Sequence, residues 1–159
     1  MRKRRHLALA ATAIALALSV TPASAIYDSP TDQAPSALRD AVSAAEASNW
    51  VDARRILERH LNAHPSDADA WSLLGRVLRR SGDTRAAMVA YQRALAANPT
   101  HTAAMAYLGM AHVLRGERDQ AVRLLAQIVS LCGEDCAATR ALESVLGDPA
   151  RADSVKLWR

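Results

Sequence analysis

Across residues 68–101, apolar positions follow a helical period twice in succession. Trp71, Leu74, Gly75 and Leu78 stand at i, i+3, i+4 and i+7, and Ala87, Ala90, Tyr91 and Ala94 repeat that spacing. Each set lines one face of an amphipathic helix. Ser81-Gly82-Asp83 separates the two stripes. Glycine accepts the left-handed backbone that ends one helix, and aspartate opens the next. Asn98-Pro99 closes the second helix, because the residue before a proline is biased away from helical geometry. The stretch predicts an antiparallel helix pair.

The pattern recurs downstream with Met105, Leu108, Gly109 and His112, a turn at Arg115-Gly116-Glu117, and then Ala121, Leu124, Leu125 and Ile128. Upstream it is less regular. Leu38, Ala41, Val42 and Ala45 form a stripe slipped by one residue, with Asp40 where the register calls for a buried leucine, and Trp50, Ala53, Leu57 and Pro65 follow. The windows 34–67, 68–101 and 102–135 thus share a period of 34 residues, the length of a helix–turn–helix repeat.

These residues resemble the tetratricopeptide repeat family, whose pattern runs W-x2-L-G-x2-Y, A-x3-F, A and P. The middle window carries Trp71, Leu74, Gly75, Ala87, Tyr91, Ala94 and Pro99, departing at Leu78 where a tyrosine is usual. The third keeps Leu108, Gly109, Ala121 and Leu125, with Met105 in the tryptophan place and Gly133 in the proline place. The resemblance implies an all-α fold, a right-handed superhelical solenoid of about three helix pairs. Single pairs cannot bury their apolar faces alone, so the ends need caps, and AATRALESVL before Gly147 and Pro149 is expected to form the C-terminal one. The expected organisation is a signal peptide at 1–25, a linker at 26–33, the repeat domain with its cap at 34–147, and a tail at 148–159.

Members of this family are binding scaffolds, which implies that the first helix of each pair lines a concave groove for an extended or helical peptide of another protein. That face carries Asp69, Ser72, Arg76 and Arg79 in the middle repeat. It carries Ala103, Ala106, Met110 and Val113 in the third, and Leu38, Val42 and Ala45 in the first. An arginine pair in an apolar groove suits a partner with small apolar side chains and one carboxylate; the other reading makes Arg76, Arg79 and Arg80 a solvated face. Relatives that clamp a C-terminal carboxylate use several lysines, arginines and asparagines, and with Arg76 and Arg79 alone placed for it, that activity is not carried over. The tail ARADSVKLWR is expected to be disordered, although Val155, Leu157 and Trp158 give it an apolar edge able to fold back or to meet a second copy in a homo-oligomer.

The N-terminus bears on the compartment. Arg2, Lys3, Arg4 and Arg5 precede an apolar run from about Leu7 to Val20 that ends in Ala23-Ser24-Ala25, the layout of a secretory signal peptide cleaved after Ala25. The run is short for a membrane span of roughly 20 residues, so an uncleaved anchor is the weaker reading and no span is expected after cleavage. Arg4-Arg5 leaves the twin-arginine route open beside the general one. The short, alanine-rich form points to export into a bacterial periplasm, or to secretion. Four of the 20 basic residues lie in this segment and none of the 16 acidic ones, so residues 26–159 carry 16 of each. The whole-chain pI of about 9.6 is therefore no nucleic-acid footprint, and the chain has no phenylalanine to interleave with a basic stripe.

Chemistry has few candidates. No phosphate loop, zinc-protease or nucleophile-elbow motif occurs, and His112, in a place where the family buries a tyrosine, reads as a packing residue. The chain is expected to be non-enzymatic, without cofactor or metal. Cys132 and Cys136 in LCGEDC are its only cysteines. In an exported chain an even count favours a structural disulfide. The pair would join the last repeat to its cap, with Gly133 supplying the bend. A soft ion such as Cu(I) and thiol exchange remain alternatives, and with them a redox or copper-handling accessory protein.

Overall fold

The computed structural model describes residues 30–157, with side chains from residue 36 onward. The expected signal segment and Trp158 lie outside the described residues. Seven α-helices follow one another, with no strand among the described residues. They are α1 (Pro30–Glu46), α2 (Trp50–Ala63), α3 (Ala68–Arg80), α4 (Thr84–Ala97), α5 (Thr102–Leu114), α6 (Arg118–Cys132) and α7 (Ala137–Gly147), after which a 3-10 turn spans Pro149–Asp153. The backbone is already helical from Pro30, inside the segment expected to be linker.

The turns explain the helices. Ser48, Gly82 and Gly116 lie 34 residues apart, and all three have positive φ, at 59°, 96° and 78°. The next residue opens a helix: the side chains of Asn49 and Asp83 accept from the backbone N–H groups of Asp52 and Ala86, at 3.2 and 2.9 Å. Asp67 does the same for α3 by accepting from Ala70 N at 2.9 Å. Each such cap satisfies a helix-end donor that would otherwise lack a partner.

Helices pack in order, α1 on α2, α3 on α4 and α5 on α6, while α1, α3, α5 and α7 also touch along one side. The result is a two-layer solenoid of helix pairs with odd-numbered helices inside. Its core is made of thin side chains. Ala41, Ala53, Ala87, Ala94, Ala106 and Ala121 are fully buried, and Tyr91, Leu57, Met110, Ile128 and Leu142 supply the volume. In the irregular first pair Ala41 and Ala45 are buried, Leu38 and Val42 half-buried, and Asp40 exposed.

Helix α7 packs on α5 and α6. Cys132 is the last residue of α6 and Cys136 the N-cap of α7, and their sulfurs lie 2.07 Å apart, at disulfide distance. Gly133 between them takes φ 84°. The fully buried Thr139 hydroxyl donates to the Gly133 carbonyl at 2.7 Å, so the bend is also held by a hydrogen bond.

The tail, expected to be disordered, instead turns back onto the inner helices. Beyond the 3-10 turn, which packs on α5 and α7, Val155 and Leu157 lie against the core. Arg79 supplies the physical reason: its guanidinium is buried, and the Asp153 carboxylate meets it at 2.5 Å. A buried cation without such a partner would be costly.

Candidate functional site: the concave cleft

The inner helices enclose a cleft of about 550 Å³. Leu38, Val42, Ser43 and Glu46 of α1 form one wall, and Asp69, Ser72, Leu73 and Arg76 of α3 form the floor. His101, Ala103 and Tyr107 at the start of α5 form the opposite wall, and Leu157 of the tail closes one end. The repeat itself produces this arrangement, since side chains at i, i+3, i+4 and i+7 share a helix face. Asp69, Ser72, Leu73 and Arg76 follow that spacing on α3.

The residues predicted for the groove divide into two groups. Asp69, Ser72 and Arg76 line the cleft together with Ala103, Leu38 and Val42. Arg79, Ala106, Met110 and Val113 do not line it and are buried, Ala106 and Met110 completely. They belong to the stretch of α3 and α5 over which α7, the 3-10 turn and the tail have closed. Ala45 is also buried. Arg39, Ser43, Glu46, Leu73, His101, Tyr107 and Leu157 also line the cleft and escaped the sequence reading of the groove, although a count at i+4 from Asp69 and Ala103 reaches Leu73 and Tyr107.

Neither inner arginine sits on a solvated face, for Arg76 and Arg79 are both buried. Burial lowers the pKa of Arg76 to about 10, opposed in part by the nearby phenols of Tyr107 and Tyr91. It is still a cation at neutral pH, held at the cleft floor in a poorly solvated setting where its field is weakly screened. Burial pushes the Tyr91 and Tyr107 phenols above their ordinary values. Their rings stack at 5.7 Å between centroids, and the Tyr107 hydroxyl accepts from Leu157 N at 2.6 Å.

Histidines brace the joints around this cleft. His60 Nε2 lies 2.7 Å from Asp67 Oδ2, joining the end of α2 to the N-cap of α3. His101 caps α5, accepting at Nδ1 from Ala104 N at 3.2 Å, while its Nε2 faces Asp69 Oδ1 at 3.1 Å. His112 Nδ1 lies 2.6 Å from Glu117 Oε2, giving the expected packing residue a carboxylate partner. Trp71 donates to the Pro65 carbonyl at 2.8 Å, and its ring lies under Arg93. Among the described residues no group of three or more His, Cys, Asp or Glu is arranged to hold a metal ion.

Two family models, each described as a tetratricopeptide repeat, match residues 38–100 and 78–146. No curated protein sequence matches the chain. Among solved structures, the Sgt2 TPR domain from Aspergillus fumigatus gives a TM-score of 0.66 at 18% identity, over 80% of this chain and 85% of that one. The first TPR of Spaghetti (RPAP3) bound to HSP90 peptide SRMEEVD gives 0.64 at 16% identity, over 74% and 93%. The Yersinia enterocolitica type III secretion chaperone SycD in complex with a peptide of the translocator YopD gives 0.65 at 14% identity, over 77% and 93%. At these identities the likeness shows the fold.

Proposed function

The chain belongs to the tetratricopeptide repeat family, and from that premise we propose that it is a non-enzymatic scaffold or assembly factor of a bacterial cell envelope that binds a segment of another protein in its concave cleft. The observation that carries this reading is the cleft itself. It is of a size that accommodates side chains of a peptide, its walls are mainly apolar, and one desolvated cation, Arg76, stands where a partner's carboxylate or carbonyl could be met. The peptide-bound state of two structures of the same fold, RPAP3 and SycD, supports it. Location in the periplasm rests on the export signal read at residues 1–25. The disulfide-distance pair suits an oxidising compartment.

Val42 and Ala103 both line the cleft and are half-buried, so glutamates there would charge its walls at less cost to folding than at a fully buried position. Met110 is fully buried, and a glutamate there would test folding instead. The Val42→Glu, Ala103→Glu double variant is expected to lose the partner that the wild-type chain captures from its own envelope fraction while keeping its helical circular dichroism. Undiminished capture by the folded double variant would overturn the cleft as the binding site.

A further inference from the structure

The part of the concave face that is not open is covered by the chain's own C-terminus, and the contacts are of the kind a peptide ligand makes. Arg79 Nη1 meets Asp153 Oδ1 at 2.5 Å and its Nη2 donates to the Ala152 carbonyl at 3.0 Å. Arg80 Nη1 donates to the Asp153 carbonyl at 3.1 Å. Four residues on, Leu157 N donates to the Tyr107 hydroxyl at 2.6 Å. Val155 and Leu157 lie against the core, whereas Ser154 and Lys156 are exposed. Exposed and seated side chains thus alternate from Ser154 to Leu157, as in a bound peptide whose main-chain groups supply affinity and whose every second side chain is seated.

We propose that residues 149–157 are an intramolecular strap, displaced when a partner binds, and that the displacing partner segment presents the same chemistry: an acidic residue followed at the second and fourth positions by apolar ones. The inference rests on the cleft-binding reading above and specifies the partner segment and its gate. Two relationships favour displacement. Leu157 both ends the strap and lines the open cleft, so a longer ligand entering the cleft would run into the strap's seat. After Asp153 the strap has no regular secondary structure. A segment held by the pairing of Asp153 with Arg79 and Arg80, by a few hydrogen bonds and by the apolar side chains of Ala152, Val155 and Leu157 opens at far lower cost than the helices beneath it. Being tethered, it competes at a high effective concentration, so the resting chain binds weakly and releasing the strap strengthens binding.

The test uses the full chain and a fluorescein-labelled, C-terminally amidated peptide ARADSVKL, the sequence of residues 150–157. Its affinity is compared between the wild-type chain, Asp153→Asn, and the double variant Asp153→Asn, Leu157→Ser, by fluorescence anisotropy. Asp153 is largely exposed, at 66% of its side chain, so the single variant keeps the measurement valid if the double variant loses helicity. The expected result is binding to the strap-released variants about tenfold tighter or more than to wild type, abolished when the peptide carries Asn in place of Asp. No gain in affinity, or equal binding of the Asn peptide, would overturn the strap. Concentration-dependent dimers of the wild-type chain that dissociate in Asp153→Asn would also overturn it, in favour of tail exchange between copies. Partner capture that still depends on Val42 and Ala103 but ignores strap release would sink this inference alone and leave the cleft standing.

Discussion

The ring of Tyr91 fills the space in which a side chain on Gly75 would begin: a Cβ there would stand 2.5 Å from Cε1 and 2.6 Å from Cδ1. Tyr91 is fully buried and stacked on Tyr107, so the ring has nowhere to retreat. At Gly109, one repeat later, the nearest atoms belong not to the equivalent Leu125 but to Leu142 of α7, whose methyl carbons would stand at 2.7 and 2.9 Å. A leucine tip can change rotamer. Gly75→Ala is expected to cost about 1–3 kcal/mol through overpacking. Gly109→Ala should cost less, because the leucine tip can give way, so that the gain in helix propensity of about 1 kcal/mol common to both variants offsets more of the smaller clash. Urea unfolding of the two variants decides it, and equal losses would count against this difference in packing.

Ser48 takes the left-handed backbone that glycine takes at the two equivalent turns. A residue with a Cβ is strained there by about 1 kcal/mol. Ser48→Gly should stabilise the protein by up to about 1 kcal/mol, read as a thermal midpoint raised by a few degrees. A lower midpoint would mean that the strain is relieved by contacts of the serine side chain.

Cys132 and Cys136 join the end of α6 to the start of α7. By the chain-entropy estimate, closing so small a loop contributes about 2 kcal/mol. Cys132→Ser, or dithiothreitol on the wild-type chain, should lower stability by about that amount and speed hydrogen exchange in α7. Capture of a partner at the cleft, which these residues do not line, should be retained. Unchanged stability in both experiments would sink the staple, and a pair that bound added Cu(I) in the native chain would revive the copper-handling alternative.

Acid should release the strap. Burial alone would raise the pKa of Asp153, but hydrogen bonding and charge from Arg79 and then Arg80 bring it below the ordinary aspartate value. With the folded pKa depressed, the stabilising contribution is complete at pH values above about 5 and is lost as pH falls below about 3.9 through the folded value. The amide of Leu157, bound to Tyr107, reports it: its NMR shift should move with a midpoint below the ordinary aspartate range. Asp153→Asn should abolish that transition, and a midpoint that persists in the variant would assign the change to another group.

Much of the fold was legible because its signals are local. Gly82 and Gly116 mark turns, Asp83 opens a helix, and the 3.6-residue stripes set which faces go inward. All of these act over a few residues, so the 34-residue period was enough to place six helices and the cap. The inner face was legible only in part: Asp69, Ser72 and Arg76 line the cleft because helical spacing puts them on one face, whereas Arg79, Ala106, Met110 and Val113 do not line it.

Whether that face stayed open was decided by tertiary structure. Arg76 and Arg79 read alike in sequence, one turn of helix apart, yet Arg76 faces the cleft while Arg79 holds a carboxylate from 74 residues away. Tyr107 likewise meets Leu157 across 50 residues. No periodicity encodes such a meeting. It follows from a buried guanidinium requiring an anion and from the cap helix delivering the tail to the inner layer, where Asp153 is within reach. The sequence by itself determined a helical repeat with a binding face, and the folded chain decided how much of that face its own C-terminus would occupy.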